Sequence, residues 1–384
     1  MQKDLYFDYC ATTPVRPEVL QAMLPYFQDQ FGNSMSLTHS YGQEAHKVAE
    51  ASRKQIAELL GCQQKEVIFT SGATEANNWV LQGVITHLRQ SNSLEPIHII
   101  SSPVEHNSIL KCLDYLKKHL QVEVDFAPVN SYGQVEIDQI KTLIKPHTKL
   151  MSLMWVNNEI GTINPIREIA SLCQEKGILF HTDATQAVGK IPLNLSEVPV
   201  DFLSFSGHKI YGPKGIGALI TRKKLSPLIF GGGHEFGLRS GTLNIPGIVG
   251  LATALEISQQ ELSNNLRKFE KFREILLRKL ENSQIKFHLN GHPSERAPHV
   301  LSLTFSGANL PTVIPGLAVS RGSACLSGCA SQSHVLKAIG VSFADMANTI
   351  RFSLGSPTSP EDLEMALGIL TKHLTKDINP RVET

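Results

Sequence analysis

The stretch DFLSFSGHKIYGPKGIGALIT, residues 201–221, holds two apolar, β-rich runs joined by ten polar and glycine-rich residues. Runs of the same kind recur upstream as VIFT (67–70), IHIIS (97–101), VEVDFAPV (122–129), LMSLMWV (150–156) and GILFHT (177–182). Helix-like segments separate them, at 41–60, 74–90, 105–119, 136–145 and 165–176. Strands that are apolar almost throughout are buried on both faces. Their alternation with helices predicts an α/β fold built on a large, mostly parallel, seven-stranded sheet covered by helices. Ligands of such sheets sit beyond the carboxyl ends of the strands.

Downstream the pattern changes. Residues 247–283 read as one long, charge-flecked helix with a bend. FHLNG (287–291) and HVLSLTF (299–305) follow as short strands, then a Gly/Ser-rich loop (320–333), a strand TIRFSL (349–354) and a last helix (360–374) after Pro360. This predicts a smaller α+β domain joined through the long helix.

Of 384 residues, 41% are hydrophobic and 18% charged, enough for a sizeable core. Lys plus Arg number 36 against 35 Asp plus Glu. That balance provides no global field for nucleic acid or an anionic membrane, so small molecules and proteins are the expected partners. No run approaches the roughly 18–20 apolar residues of a membrane span, and MQKDLYFDYC lacks the basic and apolar regions of a secretory signal. Six thinly spread cysteines make no disulfide framework, and no His/Cys cluster has zinc-ligand spacing, so no metal is expected. A cytoplasmic location is the expectation.

Three segments carry candidate chemistry. In VIFTSGATEANNWVL, Ser71, Gly72, Ala73 and Thr74 lie between a strand and a helix start. Free N–H groups and the helix dipole there suit a phosphate, and the same residues suit an ordinary helix cap. In FHTDATQAVG, Asp183 emerges from a buried strand, with Gln186 beyond it. Such an acid caps the following turn or faces a cation, for example a protonated ring nitrogen. In SFSGHKIYG, Lys209 follows Ser206 and His208. A lone lysine is usually a solvated charge, but one held between apolar strands can have its pKa lowered and form a Schiff base. Phosphate cradle, acid and lysine occur in the chain order of a pyridoxal phosphate enzyme.

DYCATTP (8–14), FGNSMS (31–36), FTSGATEANN (69–78), EHNSIL (105–110), VNNEIGT (156–162), HTDATQAVGK (181–190), SFSGHKIYGPKGIG (204–217), GGGHE (231–235), RSGT (239–242), RGSACLSG (321–328) and IRFSLG (350–355) complete the pattern. Together they resemble the cysteine desulfurases of the NifS/IscS type, which belong to the fold-type I, class V pyridoxal phosphate enzymes. The likeness runs from about residue 5 to about residue 370.

The resemblance implies a large cofactor-binding domain over residues 14–255. Residues 1–13 and 256–384 then form a small domain carrying a mobile cysteine loop at about 320–333. It implies that Lys209 forms the internal aldimine with pyridoxal 5'-phosphate and later moves the Cα proton of the substrate. Asp183 would pair with the pyridinium nitrogen, Gln186 would bond the ring hydroxyl, and His106 would stack on the ring and act as acid and base. Thr74, Ser206 and His208, with the Ala73–Thr74 backbone, would hold the phosphate, and Thr242 would reach it from the other subunit of a homodimer. Asn33, Asn158 and Arg351 would orient the substrate carboxylate, Asn158 also bordering the cofactor. Cys325 would take the sulfur of L-cysteine as a persulfide, release L-alanine and pass sulfur to acceptor proteins such as an iron–sulfur scaffold. Its loop spacing resembles the branch with a long mobile loop rather than the SufS branch.

Some residues depart from the pattern. Arg321 precedes GSAC where a small residue is usual, and is read as solvated. Cys329 lies four residues beyond Cys325 and is read as a bystander thiol, and Cys10 as packing. The chain ends soon after the last helix, without the longer tail by which some relatives engage a scaffold, so the resemblance leaves the acceptor open. Related readings of the same fold are a selenocysteine lyase, a class V aminotransferase or a silent assembly subunit.

Overall fold

A computed structural model describes residues 4–91, 95–283, 285–321 and 332–375. Its strands in chain order are β1 (Leu5–Tyr6), β2 (Val67–Thr70), β3 (His98–Ser101), β4 (Glu123–Phe126), β5 (Thr148–Ser152) and β6 (Leu179–Asp183). They continue as β7 (Phe202–Ser206), β8 (Gly217–Thr221), β9 (His288–Asn290), β10 (Val300–Thr304), β11 (Leu317–Ala318) and β12 (Thr349–Ser353). The large sheet has seven strands in the order β2-β8-β7-β6-β5-β3-β4. Within it β8 alone runs antiparallel to its neighbours. Its connection from β7 is too short for the helical crossover that a parallel neighbour needs, so the chain turns back instead.

The predicted strands all occur, with shifted ends. VEVDFAPV forms a strand only over Glu123–Phe126, because Pro128 has no N–H for a ladder. LMSLMWV begins two residues earlier than expected, at Thr148, and ends at Ser152. Beyond it Leu153 and Trp155 still donate to the carbonyls of His181 and Asp183, following β6 rather than pairing on both sides.

Apolar cores cover both faces of the sheet. One gathers the helices Ser40–Leu60 and Ile166–Lys176 and the first half of the helix Ile245–Asn282. The other gathers Ala73–Ser91 and Asn107–Leu120. The helix Ile245–Asn282 is continuous over 38 residues, about 57 Å at the standard rise. Ile248, Leu251 and Leu255 face the large core, whereas Phe269, Phe272, Leu276 and Leu280 face a separate core. That second core lies over the antiparallel sheet β12-β10-β9 and includes the final helix Pro360–Thr375. One hydrophobic stripe thus binds the two sheets to one rod.

The N-terminal segment links the two parts. Leu5 and Tyr6 pair with β11 and Phe7 packs edge-on to Phe352. The Cys10 amide donates to Ser353 Oγ (2.9 Å) and Thr13 N–H to the His208 carbonyl (3.0 Å). Residues 8–13 are thereby laid between the small sheet and the loop after β7.

Candidate active site

The carboxyl ends of β2, β3, β5, β6 and β7 open on one cavity of about 570 Å³. Small residues make this possible. A Cβ on Gly217 would lie 2.5 Å from the Phe205 carbonyl oxygen and 2.7 Å from Gly72 Cα. Only glycine lets β8 pass this close to the turn after β2. The helix Ala73–Ser91 starts at that turn, so its first N–H groups, which have no acceptor within the helix, border the cavity. Ser206 and His208 line the same end.

Lys209 follows β7 with its ammonium held over the N-terminal segment, donating to the carbonyls of Cys10 (2.7 Å) and Ala11 (2.6 Å). Burial lowers its pKa from the usual 10.5, and the nearby Arg351 charge adds to this, against Cys10, Asp8 and Asp183. Asp183 ends β6, is 6% exposed, and accepts from Asn77 Nδ2 (2.7 Å) and the Thr185 amide (3.0 Å). Asp183 thus caps its turn, as one sequence reading expects, and it also lines the cavity. Behind it His181 is clamped between Ser152 Oγ (2.8 Å) and Ser204 Oγ (3.0 Å), and burial pushes it down to about 4.

His106 caps the helix Asn107–Leu120, its Nδ1 accepting from the Ser108 amide (3.1 Å). Burial lowers its pKa below 6.5 despite Asp183, so the ring is neutral near pH 7. His208 is drawn to about 4 by burial, then by Lys209, Lys190 and Lys214, and its Nδ1 meets Thr12 Oγ1 at 3.1 Å. Gln186 lines the cavity, its Nε2 donating to the Cys10 carbonyl (3.0 Å).

Arg351 on β12 is 2% exposed. It donates to the Asn158 carbonyl (2.9 Å) and to Asp8 Oδ1 (2.7 Å), while its buried Nε has no acceptor. Burial opposes its charge, but Cys10, Asp8 and Glu159 outweigh that and raise its pKa.

The fold thus brings together Ala73, Thr74, His106, Asn158, Asp183, Gln186, Ser206, His208, Lys209 and Arg351 around one cavity. Two expected site residues stand outside it. Asn33 is exposed and accepts the Met35 amide (3.0 Å). Thr242 is also exposed, after a loop fastened from below. There the buried Arg53 grips Glu235 (2.6 Å) between the rings of Phe69 and Phe236, and holds Glu235 and Phe236 at φ of 50° and 58°. Cys325 and Cys329 lie outside the described residues. Arg321 donates to the carbonyls of Ala347 and Pro311, so it is tied to backbone rather than freely solvated.

Residue reading alone missed several lining groups. Cys10, Ala11 and Thr12 form the wall against Lys209, with Cys10 taking part through its backbone carbonyl while its side chain is buried. Their signal was DYCATTP, which has no helical or strand periodicity. Asn77 was also missed, although it stands three residues after Thr74 and shares its helical face. His334, just past the cysteine loop, lines the cavity and its Nε2 meets the Glu105 carbonyl at 2.8 Å.

This arrangement can take an anion at the helix start, a cationic ring nitrogen at Asp183, a carbonyl carbon at Lys209 and a carboxylate at Arg351. Among the described residues no group of His, Cys, Asp or Glu could hold a metal, and no helix is long and apolar enough to cross a membrane.

A family model described as aminotransferase class V matches residues 5–365. The chain is 42% identical to the cysteine desulfurase IscS of Rickettsia bellii over 390 aligned positions, covering 98% of this chain and 93% of that one. Among solved structures it is similar to a NifS-like protein (TM-score 0.89, 36% identity, 97% of this chain and 100% of that one). It is also similar to SspA in complex with cysteine (TM-score 0.79, 35% identity, 92% and 99%).

Proposed function

The chain belongs to the class V aminotransferase family and is a cysteine desulfurase, and we propose that it carries out that chemistry through Lys209, Asp183, His106, Arg351 and Cys325. It converts L-cysteine to L-alanine, and the family depends on pyridoxal 5'-phosphate. The cavity's donor set fits that group: N–H groups and hydroxyls for a phosphate, a buried carboxylate for a ring nitrogen, and an amine between them. The buried, unpartnered Nε of Arg351 fits a substrate carboxylate. When bound, the cofactor supplies an electron sink for the carbon next to the amino group.

The residues divide the remaining work. Lys209 would be the amine that holds the cofactor, and its Nζ would take and return the Cα proton of the substrate. Its lowered pKa leaves more of it as free base. Asp183 would keep the ring nitrogen protonated, and Asn77 and the Thr185 amide fix its rotamer. Neutral His106, in the wall of the same cavity, would help to hold the cofactor and would exchange a proton with the substrate amine or thiol. Arg351 with Asn158 sets which Cα bond faces Lys209.

Cys325 thiolate then attacks the substrate sulfur. The new S–S bond forms as the Cβ–S bond breaks, its electron pair remains on carbon, and protonation there yields alanine. In sum, L-cysteine and a thiol give L-alanine and a Cys325 persulfide. The persulfide passes to acceptor proteins, for iron–sulfur assembly or other sulfur-requiring pathways.

Leu20, Leu24, Phe27, Phe31, Phe230 and Phe236 are large apolar side chains left exposed, which supports a homodimer in which Thr242 serves the partner's phosphate end. The observation that carries the mechanism is the ammonium of Lys209 suspended on two carbonyls in the cavity that Asp183 also lines. Reconstitution with pyridoxal phosphate followed by borohydride should fix the cofactor on the peptide containing Lys209. Fixation elsewhere, or none, would overturn the assignment. Products from L-cysteine, L-selenocysteine and L-cystine, compared with Cys325→Ser, test the substrate.

A further inference from the structure

Gln186 is 3% exposed and its amide is held at both ends. Nε2 donates to the Cys10 carbonyl (3.0 Å), and Oε1 accepts from Lys190 Nζ (2.5 Å). Each partner tolerates one orientation only, since an ammonium has no acceptor and a carbonyl has no donor. An amide free to flip could present either oxygen or nitrogen to the cavity. This one cannot. Nε2 carries a second hydrogen that Cys10 does not use, and that hydrogen is the group left for an acceptor in the cavity.

We propose that Lys190 is a positioning residue for the cofactor: together with the Cys10 carbonyl, its ammonium pins the Gln186 amide, so that Gln186 always offers an N–H, never an oxygen, to the cofactor's ring hydroxyl. This rests on the cofactor reading above. The same Cys10 oxygen accepts from Lys209 Nζ (2.7 Å), so Gln186 and Lys209 are registered on one atom. Lys190, Gln186, Cys10 and Lys209 form a continuous chain from behind the cavity to its reactive amine.

Lys190 is an expensive way to hold an amide if stability were its only purpose. It makes no ion pair among the described residues. It borders a cavity of about 30 Å³ behind the site. Burial pulls its pKa down to about 8, and Lys209 and Arg351 add to that against Cys10. A cation so placed costs folding energy that an apolar side chain would not. Replacement by methionine removes that cost but leaves the buried Gln186 Oε1 without its donor, so cofactor affinity and not the thermal midpoint is the readout.

The test is a double-mutant cycle on the full chain, with pyridoxal phosphate affinity measured by absorbance titration of the apoprotein. Lys190→Met and Gln186→Ala should each weaken binding about fivefold, the worth of one neutral hydrogen bond. The double variant should match Gln186→Ala alone, and Lys190→Arg, which keeps the donor, should restore affinity. Wild-type affinity in Lys190→Met, or effects that multiply in the double variant, would overturn the lock. Multiplying effects would mean that Lys190 acts through its charge instead. Should Lys190→Met not fold, Lys190→Gln, whose amide can donate or accept, replaces it with the same expectation. If wild type itself fails to bind the cofactor, the failure belongs to the cofactor reading and not to the lock.

Discussion

Replacing Arg351 by lysine tests how the substrate is held. The guanidinium spends one N–H on the Asn158 carbonyl and one on Asp8, and keeps Nε buried without an acceptor. Lysine preserves the charge but not the planar fork, and its shorter reach cannot serve Asp8 and a substrate carboxylate together. A hydrogen bond to a charged group is worth about 1.5–3 kcal/mol, so KM for L-cysteine should rise roughly 10- to 100-fold. Because the contact anchors the substrate in ground and transition states alike, KM should carry most of the loss, and any fall in kcat measures how far the Cα bond has turned from Lys209.

Initial rates of alanine formation over a range of cysteine concentrations measure both constants. L-Cysteine methyl ester, which lacks the carboxylate, should separate the two proteins much less. Thermal midpoints guard against simple misfolding, and Asp8→Asn shows whether freeing the guanidinium from its resident partner strengthens its grip. A KM within twofold of wild type, in a folded Arg351→Lys protein, would refute the assignment.

Glu105 is fully buried; burial raises its pKa to about 8, against hydrogen bonds from the Met154 amide (3.0 Å) and Ser102 (2.7 Å). Between the unfolded value near 4.5 and about 8 only the native state binds this proton, so stability falls as pH rises through that window, by on the order of 3–5 kcal/mol. Glu105→Gln should flatten the slope of urea midpoints measured across it, and an unchanged slope would show that Glu105 is ionised in the native state. If Thr242 serves the neighbouring subunit, mixed dimers of Lys209→Ala and Thr242→Ala chains should recover activity in the one site that is intact in both respects. Activity no greater than the average of the parent homodimers would place Thr242 in its own subunit's site. Cys329→Ser should leave alanine formation unchanged, whereas a loss comparable to that of Cys325→Ser would show that both thiols are needed.

The large sheet was legible because its strands, the edge strand Glu123–Phe126 apart, are buried on both faces and so are written as apolar runs. The long helix was legible for a related reason, since its stripe must serve two cores in succession. Strand ends were harder. At Phe126 the ladder stops two residues before a proline, and after Ser152 the backbone follows one neighbour only. Neither event leaves a mark in hydropathy. The short pairing of Leu5–Tyr6 with Leu317–Ala318 joins segments more than three hundred residues apart, and local pattern carries no information about it.

The site divides along the same line. Sequence alone determined which side chains stand at strand ends: Thr74, His106, Asp183, Ser206 and Lys209 follow apolar runs, and their residue types and order already define a reaction class. Their convergence depends on which strands are neighbours, a choice made by packing of the whole sheet. That Cys10 and Ala11 carry Lys209, that Asn77 and Thr185 hold Asp183, and that Lys190 controls Gln186 were decided only in three dimensions. Those contacts run through backbone carbonyls, amides and a donor-only ammonium, groups whose meaning comes from what they face rather than from the order in which they are strung.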